Sequence, residues 1–361
     1  MNTNDFFQTF PAVRGIQAGR PCYIAMCPMR IIPTLFKFDE DEVPAELRSQ
    51  RMLYKSRIPE ISSYLVDNSR NYTLSSLTAS VDAAIKFSPL ADTGAGQNMG
   101  MLEIPMDAQI LINDGQHRRA AIEQALKENP ELGYDNISVL FFIDEGLKHS
   151  QQMFADLNKH AVRPSSSINT LYDHRDSLSD LARFLSKNVD VFLLMTELEK
   201  SSISNRSSKL FTLSSIKNAS KALLRKGSKD LVTDEDKVLA AQFWTEVTLN
   251  MPDWLKAKNK EVLTYELREQ YVHAHGVILQ AMGNIGADLL IDYPSNWKNK
   301  LSKLSSINWA RHHQDWEGRA LVHGRVSKAR TNVILTGNYI KSHLNIPLND
   351  SEEKIESEFQ S

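Results

Sequence analysis

The feature that most constrains this chain is the run Asp114–Arg119, which reads Asp-Gly-Gln-His-Arg-Arg. The apolar run at 108–113 predicts a β-strand, and the alanine-rich run at 120–127 predicts an α-helix. Asp114 is a natural N-cap for that helix, and Gly115 permits a tight turn. The sequence therefore predicts a strand, a turn and a helix in immediate succession.

The charges at the start of the predicted helix have the unfavourable sign. A helix N-terminus carries about half a positive charge and favours acidic side chains, which contribute about 0.3–1 kcal/mol each there. This helix begins instead with His117, Arg118 and Arg119. Cations at a positive helix end are unfavourable unless an anion joins them, and the free N–H groups of a first turn bind anions. The turn is therefore predicted to bind phosphate.

Helical spacing separates the two arginines. Arg118 lies in line with Ile122 and Ala125 on the apolar side. Its guanidinium therefore needs an anion, either a protein carboxylate or a phosphate, and we favour phosphate. Arg119 lies in line with Glu123 on a wetter side, where a surface ion pair contributes a few tenths of a kcal/mol.

The other polar residues of the turn have more than one reading. His117 can donate to a phosphate or act as an acid or base, because the ordinary pKa of histidine is near neutrality. Asp114 is either only a cap or a ligand of a metal that accompanies a nucleotide. No dedicated protein metal site is predicted.

Composition excludes some classes of protein. The net charge of −2 over 361 residues gives no global sign of a nucleic-acid partner. No apolar run approaches the ~18 residues that a membrane span requires. The N-terminus lacks the basic and apolar regions of a signal peptide. We expect a cytoplasmic protein with room for two domains.

Strand and helix patterns divide the chain into two halves. The first half alternates strands and helices, with segments at 22–28 (strand), 45–65 (helix broken at Pro59), 73–84 (extended), 92–100 (glycine-rich loop) and 138–144 (strand). After about Leu147 helical periodicity dominates, at 148–158, 176–186, 213–225, 233–249, 261–290 and 316–343, with a serine-rich loop at 201–208. We predict an α+β protein with an α/β domain at 1–165, a mostly helical domain at 166–348 and an acidic tail at 349–361.

The two cysteines, Cys22 and Cys27, lie within one predicted strand. Their positions differ in parity, so they point to opposite faces and can neither pair nor share a metal. We expect two small buried thiols. A redox or iron–sulfur role is the alternative, although two cysteines alone cannot supply the ligands of a cluster.

The C-terminal third is locally basic. Residues 295–343 contain nine lysines and arginines against two acids, a net charge of +7, interleaved with aromatic residues. This segment fits contacts to a nucleic-acid backbone or, equally, a solvated helix face. The tail at 349–361 has five acids and one lysine, and either shields the segment or is a disordered end. The candidate DNA contacts are Lys298, Lys300, Lys303, Arg311, Arg319, Arg325, Lys328 and Arg330.

The residues of the turn resemble a known family. The run 114–118 matches the signature of the DGQHR-domain family, and 154–158 (Phe-Ala-Asp-Leu-Asn) resembles that family's second motif. The length and the segment 57–61 (Arg-Ile-Pro-Glu-Ile) resemble the DndB family of bacterial DNA phosphorothioation proteins. The resemblance spans most of the chain, and its specific motifs lie within about residues 50–175.

A more distant resemblance, to the ParB/sulfiredoxin superfamily, implies a nucleotide site in the N-terminal α/β domain and a mixed sheet. It assigns Gly115, Gln116, His117 and Arg118, with Asn158 of the second motif, to the phosphates of ATP or CTP with Mg²⁺. Sulfiredoxin has a cysteine where this chain has Gln116, so sulfur-relay chemistry is excluded there. The acid of the ParB turn is also missing, so hydrolysis does not follow automatically.

The DndB resemblance implies a DNA-binding transcriptional repressor of a phosphorothioation gene cluster. Its partners would be double-stranded DNA at the promoter of its own cluster and other phosphorothioation proteins, and nucleotide would gate the binding. Residues 210–221 have the polar and basic character of a recognition helix. The alternative is an ATP- or CTP-hydrolysing enzyme acting on or with DNA, with Asp114, His117 and Arg118 as catalytic residues. The sequence does not predict an oligomeric state.

Overall fold

The computed structural model describes residues 6–36, 57–143, 153, 156–157, 164–204, 207–227 and 229–360. Its contacts divide the chain into two compact units, Met1–Val162 and Arg163–Ser361. The predicted helix at 148–158, most of the second motif and residues 45–56 lie outside the described residues, apart from Met153, Asp156 and Leu157.

The N-terminal unit contains a seven-stranded mixed sheet. Its strands are β1 (Phe7–Gln17), β2 (Arg20–Pro28), β3 (Leu77–Asp82), β4 (Lys86–Pro89), β5 (Met99–Pro105), β6 (Gln109–Asp114) and β7 (Asn136–Ile143). Their order across the sheet is β4-β5-β1-β2-β7-β3-β6. β3 and β7 run parallel, and the other neighbouring pairs run antiparallel. The predicted α+β class with a mixed sheet is confirmed.

The described helices of this unit are α1 (Ile32–Leu35), α2 (Arg57–Asp67) and α3 (Gln116–Glu128). α2 and α3 pack against each other. Leu65, Ile122 and Ala125 from these helices join the buried strand residues in one core. Pro59 does not interrupt α2, because it lies in the first turn, where a missing N–H leaves no bond unmade.

Strand β2 shows why the two cysteines behave differently. Tyr23, Ala25 and Cys27 are buried, whereas Ile24 between them is exposed, as the two-residue period of a strand requires. Cys22 has the parity of the outward residues, so the prediction of opposite faces is confirmed. Burial raises the pKa of the Cys27 thiol to about 12, which keeps it protonated and unreactive.

Strands β1, β4 and β5 were not predicted. β1 contains Pro11 and Gly15, two residue types that are depleted in strand interiors. β5 begins within the stretch that was interpreted as a glycine-rich loop, of which only 94–98 forms a 3₁₀ turn. Pairing with β1 along its whole length holds β5 in the sheet despite its weak local signal.

The C-terminal unit is mostly helical. Its helices are α4 (Ser166–Tyr172), α5 (Ser177–Asn188), α6 (Asp190–Leu193), α7 (Leu213–Leu223), α8 (Asp234–Leu249), α9 (Pro252–Lys258), α10 (Thr264–Gln270), α11 (Gly276–Asp292), α12 (Trp297–Leu301), α13 (Arg330–His343) and α14 (Asp350–Gln360). Two-residue strands form the pairs β8 (Thr196–Glu197) with β9 (Phe211–Thr212) and β10 (Leu321–Val322) with β11 (Arg325–Val326). The helices predicted at 176–186, 213–225 and 233–249 are confirmed as α5, α7 and α8.

Two of the predicted helices were too long. The segment 261–290 is two helices, because Val272 between them leaves helical geometry to donate to the carbonyl of Trp309. In 316–343 only α13 is helical. Gly318 and Gly324 adopt φ values of +77° and +70°, which a right-handed helix cannot contain. Gly318 precedes the hairpin β10–β11, and Gly324 lies in the turn of that hairpin.

Helix α7 was interpreted as part of a recognition helix, and the structure contradicts this. Leu213, Ile216, Ala219 and Leu223 are buried, and the helix packs against both α5 and α11. Asn218 is its one fully exposed residue. A helix that reads a DNA groove must present a solvent-accessible face, so α7 is a core helix.

The acidic tail forms helix α14 and pairs with the basic segment. Glu356 accepts two hydrogen bonds from the guanidinium of Arg319, at 3.0 and 2.5 Å. Glu352 accepts two from the ammonium of Lys341, which also contacts Asp288 at 2.6 Å. Of the two alternatives for the tail, neutralisation of the basic segment is the one observed.

No described helix combines the length and the apolar character that crossing a bilayer demands.

Candidate functional site

Gly115 forms the turn between β6 and α3. Its φ of +104° lies in a region of backbone conformation that residues with a Cβ rarely adopt. A Cβ at this position would overlap Leu77 and approach the guanidinium of Arg118 to 3.0 Å. Gly115 also occupies the N-cap position, so the prediction that Asp114 caps the helix was wrong. Asp114 is the last residue of β6, and no side chain caps α3.

Asp114 contacts Arg118 instead of the backbone of the helix. Its Oδ2 accepts a hydrogen bond from Nη2 of Arg118 at 2.6 Å, and the same nitrogen donates to the carbonyl of Ser76 at 3.1 Å. The inward-facing arginine therefore has a protein carboxylate as its anion in this structure. Its Nε is buried and has no hydrogen-bond partner among the described residues, so one donor remains available.

Arg119 forms the predicted pair with Glu123, at 2.7 Å between Nη1 and Oε2. The prediction that it lies on the wetter side was wrong. Its side chain is 14% exposed, less than the 21% of Arg118. Nε and Nη2 donate to the carbonyls of Phe36 and Pro33, so Arg119 attaches α1 and its C-cap residue to helix α3.

His117 is half-buried at the start of α3. Burial lowers its pKa, and the positive charges of Arg57 and Arg118 lower it further. The imidazole is therefore neutral at neutral pH. Arg57 begins helix α2 and was not among the predicted site residues. Arg57 could have been identified from the sequence, because it is a second cation at the start of a helix and lies in the segment 57–61 that resembles the family.

The residues around the turn hold its backbone in place. Gln116 donates through Nε2 to the carbonyl of Ile112 at 3.1 Å, four residues earlier in strand β6. Asn113 is fully buried and donates to Ser80 Oγ at 2.6 Å and to Met153 Sδ at 3.2 Å. Asn113 directly precedes the first motif and Met153 directly precedes the second in sequence. Asn158 lies outside the described residues.

This arrangement suits a phosphate ligand. Helix α3 has no acid in its first turn, and its N-cap residue Gly115 supplies no side-chain cap. Arg57 and Arg118 supply positive charge near the same end, and the imidazole of His117 is neutral. Asp114 supplies a carboxylate at the turn, and that carboxylate is bound to Arg118. The described residues contain no cluster of three metal-ligating side chains, so a Mg²⁺ ion there would rest largely on phosphate oxygens.

The eight candidate DNA contacts divide by exposure. The exposed ones are Lys298, Lys303, Arg325, Lys328 and Arg330. Lys300 donates to the carbonyl of Asn345 at 2.9 Å and lies over the ring of Tyr293. Arg311 donates to the carbonyl of Gly324 at 2.7 Å, and Arg319 is bound by Glu356 on α14. Five of the eight therefore remain accessible to a phosphate backbone.

The tryptophans of the basic segment belong to the core. Trp297, Trp309 and Trp316 are 7%, 6% and 0% exposed. Trp309 and Trp316 stack on each other with centroids 5.3 Å apart. The aromatic residues therefore stabilise the helical unit and do not alternate with lysines on a nucleic-acid surface.

The two histidines between α10 and α11 have separate environments. His273 is buried, accepts from Trp254 Nε1 at 3.1 Å and lies 3.3 Å from Asp253. His275 donates through Nε2 to the carbonyl of Arg268 at 2.8 Å. Burial, opposed by that hydrogen bond, lowers the pKa of His275 to about 4.

We expect acid to destabilise the helical unit through His275. Between pH about 4 and 6.5 the unfolded chain binds a proton that the folded chain does not. The free energy of unfolding should therefore fall as pH is lowered through this window, by about 1.4 kcal/mol per unit at most. Urea unfolding followed by tryptophan fluorescence tests this, since all five tryptophans lie in Arg163–Ser361.

The matched control is His275→Gln, which keeps a donor for the carbonyl and cannot titrate. Its stability should change less with pH than that of the wild type, with the remainder coming partly from His273, whose pKa burial also lowers. Equal pH dependence in the two proteins would contradict the prediction.

Comparison with protein families gives one match. The model of the DndB family, described as DNA-sulfur modification-associated, matches residues 10–347. Comparison with the curated proteins and with the solved structures finds no match. The matched range includes the Gly115 turn, helices α2 and α3, and all eight candidate DNA contacts. The chain therefore belongs to the DndB family of DNA-sulfur modification-associated proteins.

Proposed function

We propose that this protein is a DNA-binding repressor of a DNA phosphorothioation gene cluster and that a nucleotide bound at the Gly115 turn controls its affinity for DNA. The observation that carries the proposal is the uncapped start of helix α3. There a positive helix end, Arg118 and the nearby charge of Arg57 coincide, with no acid in the first turn. The membership of a family associated with DNA sulfur modification supplies the biological context.

The electrostatics of the turn favour a polyphosphate. A phosphate at the helix end would accept from first-turn N–H groups and from Arg118 Nε, the buried donor that the described residues leave unsatisfied. It would also offset the positive charges of Arg57 and Arg118, which add to the effect of burial in lowering the pKa of His117. Both effects favour the bound state, and ATP or CTP with Mg²⁺ is the proposed ligand.

Two substitutions at one ion pair are expected to have opposite effects on nucleotide binding. Arg118→Gln removes a charged donor, so ATP or CTP should bind at least about tenfold more weakly. Asp114→Asn removes a negative charge beside the phosphate site and should strengthen binding, by about fivefold. Isothermal titration calorimetry of the full chain measures both.

Lys127→Gln is the control, because Lys127 is exposed at the far end of the same helix. It should bind nucleotide as the wild type does. If Asp114→Asn weakened binding as much as Arg118→Gln, the carboxylate would be a metal ligand or a positioning group. If no variant and no wild-type protein bound a nucleotide, the gating proposal would be wrong.

Nucleotide hydrolysis is a second candidate function, and one observation favours it. The lowered pKa of His117 leaves a neutral imidazole beside the proposed phosphate site, and a neutral imidazole can accept a proton from water. Asp114, His117 and Arg118 would then be the catalytic residues. His117→Gln should abolish phosphate release while leaving nucleotide affinity within a few-fold. Release that persists in this variant would rule out the role.

The five exposed cations between Lys298 and Arg330 are the proposed DNA contacts, and we expect their number to be measurable from salt dependence. Each phosphate neutralised on duplex DNA contributes about 0.9 to the slope of log affinity against log salt, so five contacts give a slope of magnitude about 4–5. Changing Lys298 and Lys303 together to glutamine should reduce that magnitude by about 2. Fluorescence anisotropy with a labelled fragment of the cluster's own promoter provides the measurement.

The control for this experiment is the pair Lys127→Gln and Lys187→Gln, two exposed lysines elsewhere in the chain. It should leave the slope unchanged. Adding ATP or CTP should shift the affinity of the wild type and leave that of Arg118→Gln unaltered. Promoter affinity that is indifferent to both salt and sequence would refute DNA recognition.

A further inference from the structure

The helical unit contains a cavity in which Lys328 is the only lining residue that the proposed function also uses. Its volume is about 650 Å³, within the range of small-molecule sites. Helices α4, α7, α10 and α11 contribute to its lining, together with the loop at 201–203 and the segment around β11. Hydroxyl groups are unusually frequent there: Ser166, Ser201, Ser202, Thr212, Ser214 and Ser215.

Positive charge predominates in the lining. Arg268, Arg311 and Lys328 line the cavity, against the single carboxylate of Glu269. Arg268 donates to the backbone carbonyls of Ser204 and Ser207, and Arg311 donates to that of Gly324. The carbonyl of Gly324 is a neutral acceptor, so it orients the guanidinium of Arg311 without cancelling its charge. Among the described residues no carboxylate lies within ion-pair distance of Lys328.

The start of helix α11 opens into the same cavity. Gly276 is its first residue, no side chain caps it and its first turn has no acid. A Cβ on Gly276 would lie 2.8 Å from Ser215 Oγ and 3.3 Å from Lys328 Nζ. Glycine thus keeps a small space open in which backbone N–H groups, a hydroxyl and an ammonium converge. Thr212 donates to Ser215 at 2.8 Å, which leaves the hydroxyl hydrogen of Ser215 available.

The environment of Lys328 is consistent with a missing counter-ion. Desolvation lowers the pKa of Lys328, although the residue as a whole is exposed. A partly desolvated cation without a carboxylate partner is stabilised when an anion binds. Phosphate, which accepts several hydrogen bonds at once, suits the mixed donors at this point.

We propose that this cavity binds a free nucleoside phosphate, with the phosphate held between the start of α11, Ser215 and Lys328. Tyr265, which is 41% exposed and lines the cavity, offers an aromatic face for the base. The site goes beyond the proposed function, because it lies in the helical unit and uses none of the residues of the Gly115 turn. A cavity of this size fits a nucleotide.

The test measures the accessibility of Lys328 in the intact wild-type protein. Lysines are acetylated with a limiting amount of reagent, with and without ADP or pyrophosphate, and each modified residue is quantified by mass spectrometry. At ADP concentrations ten times its dissociation constant, labelling of Lys328 should slow by about tenfold. Lys354, an exposed lysine on α14 that does not line the cavity, should label at an unchanged rate.

A variant checks the same site by affinity. In an Arg118→Gln background, which removes the turn's contribution, Lys328→Gln should weaken ADP binding at least about tenfold. Lys354→Gln, with the same change in charge, should not. Unchanged labelling of Lys328 at saturating ADP and pyrophosphate would overturn the proposal.

The outcomes separate this site from the DNA surface, to which Lys328 was also assigned. Protection of Lys328 by promoter DNA but not by ADP would overturn the cavity proposal and leave the proposed function standing. Protection by ADP in a protein that fails to bind the promoter would support the cavity and refute the DNA proposal.

Discussion

Gly115→Ala is expected to destabilise the N-terminal unit by about 2–6 kcal/mol and to abolish nucleotide binding at the turn. A residue with a Cβ at φ +104° is strained by about 1–3 kcal/mol. The new methyl group would also overlap Leu77 in the core, and such overpacking costs a further 1–3 kcal/mol or so. Relief of the overlap must displace Leu77 or rotate the turn away from Arg118.

Native-state hydrogen exchange measures this effect unit by unit. Amides of β6 and α3 should lose protection, whereas those of the helical unit should not. Gly19→Ala is the matched control, because Gly19 has a φ of +76° in the same unit but no atom within 4 Å of the added Cβ. Gly19→Ala should lower the free energy of unfolding by only about 1 kcal/mol, because it introduces backbone strain without a steric overlap. Equal losses in the two variants would show that the contact with Leu77 is unimportant.

Lys341→Met is expected to destabilise the helical unit by about 3 kcal/mol. The side chain of Lys341 is 3% exposed, and its ammonium contacts Asp288 and Glu352. Removing one partner of a buried pair leaves uncompensated charge, which costs about 3–5 kcal/mol. The lower end applies here, because Asp288 keeps its contact with Arg225 at 2.5 Å.

Denaturant unfolding followed by tryptophan fluorescence isolates the helical unit for this measurement. Lys354→Met on α14 is the control, because its side chain is exposed, and it should change stability by less than about 0.5 kcal/mol. Adding Glu352→Gln to Lys341→Met should restore part of the loss, since it removes the carboxylate that has lost its contact with the ammonium. A loss in Lys341→Met no larger than that of the control would contradict the role of the buried cation.

Local patterns predicted the elements that carry the turn. The apolar run before Asp114 and the alanine-rich run after it are β6 and α3, and the i,i+4 spacing correctly paired Arg119 with Glu123. The burial of Arg119 could not be predicted in this way. It depends on the carbonyls of Pro33 and Phe36, more than eighty residues away in sequence.

Charge counting predicted the basic segment but not its partners. Arg319 and Lys341 contribute to the net charge of 295–343, yet acids of α14 neutralise both. The tryptophans of the segment were interpreted as surface aromatics because composition does not distinguish a buried ring from an exposed one. Arg57 was missed for a related reason: its proximity to His117 follows from the packing of α2 on α3, which no periodicity encodes.

The position of β6 in the sheet has a consequence for the order of folding. β6 is the last strand of the described sheet and pairs only with β3, whose other neighbour is the parallel strand β7. That parallel pairing joins 77–81 to 139–143, a long chain closure that is slow compared with forming a hairpin or a helix. The ladder that fixes Gly115 therefore lies at the edge of the sheet and is joined to the other strands only through β3. Helix α3 can be helical early, but its start acquires its final geometry only when β6 has paired with β3.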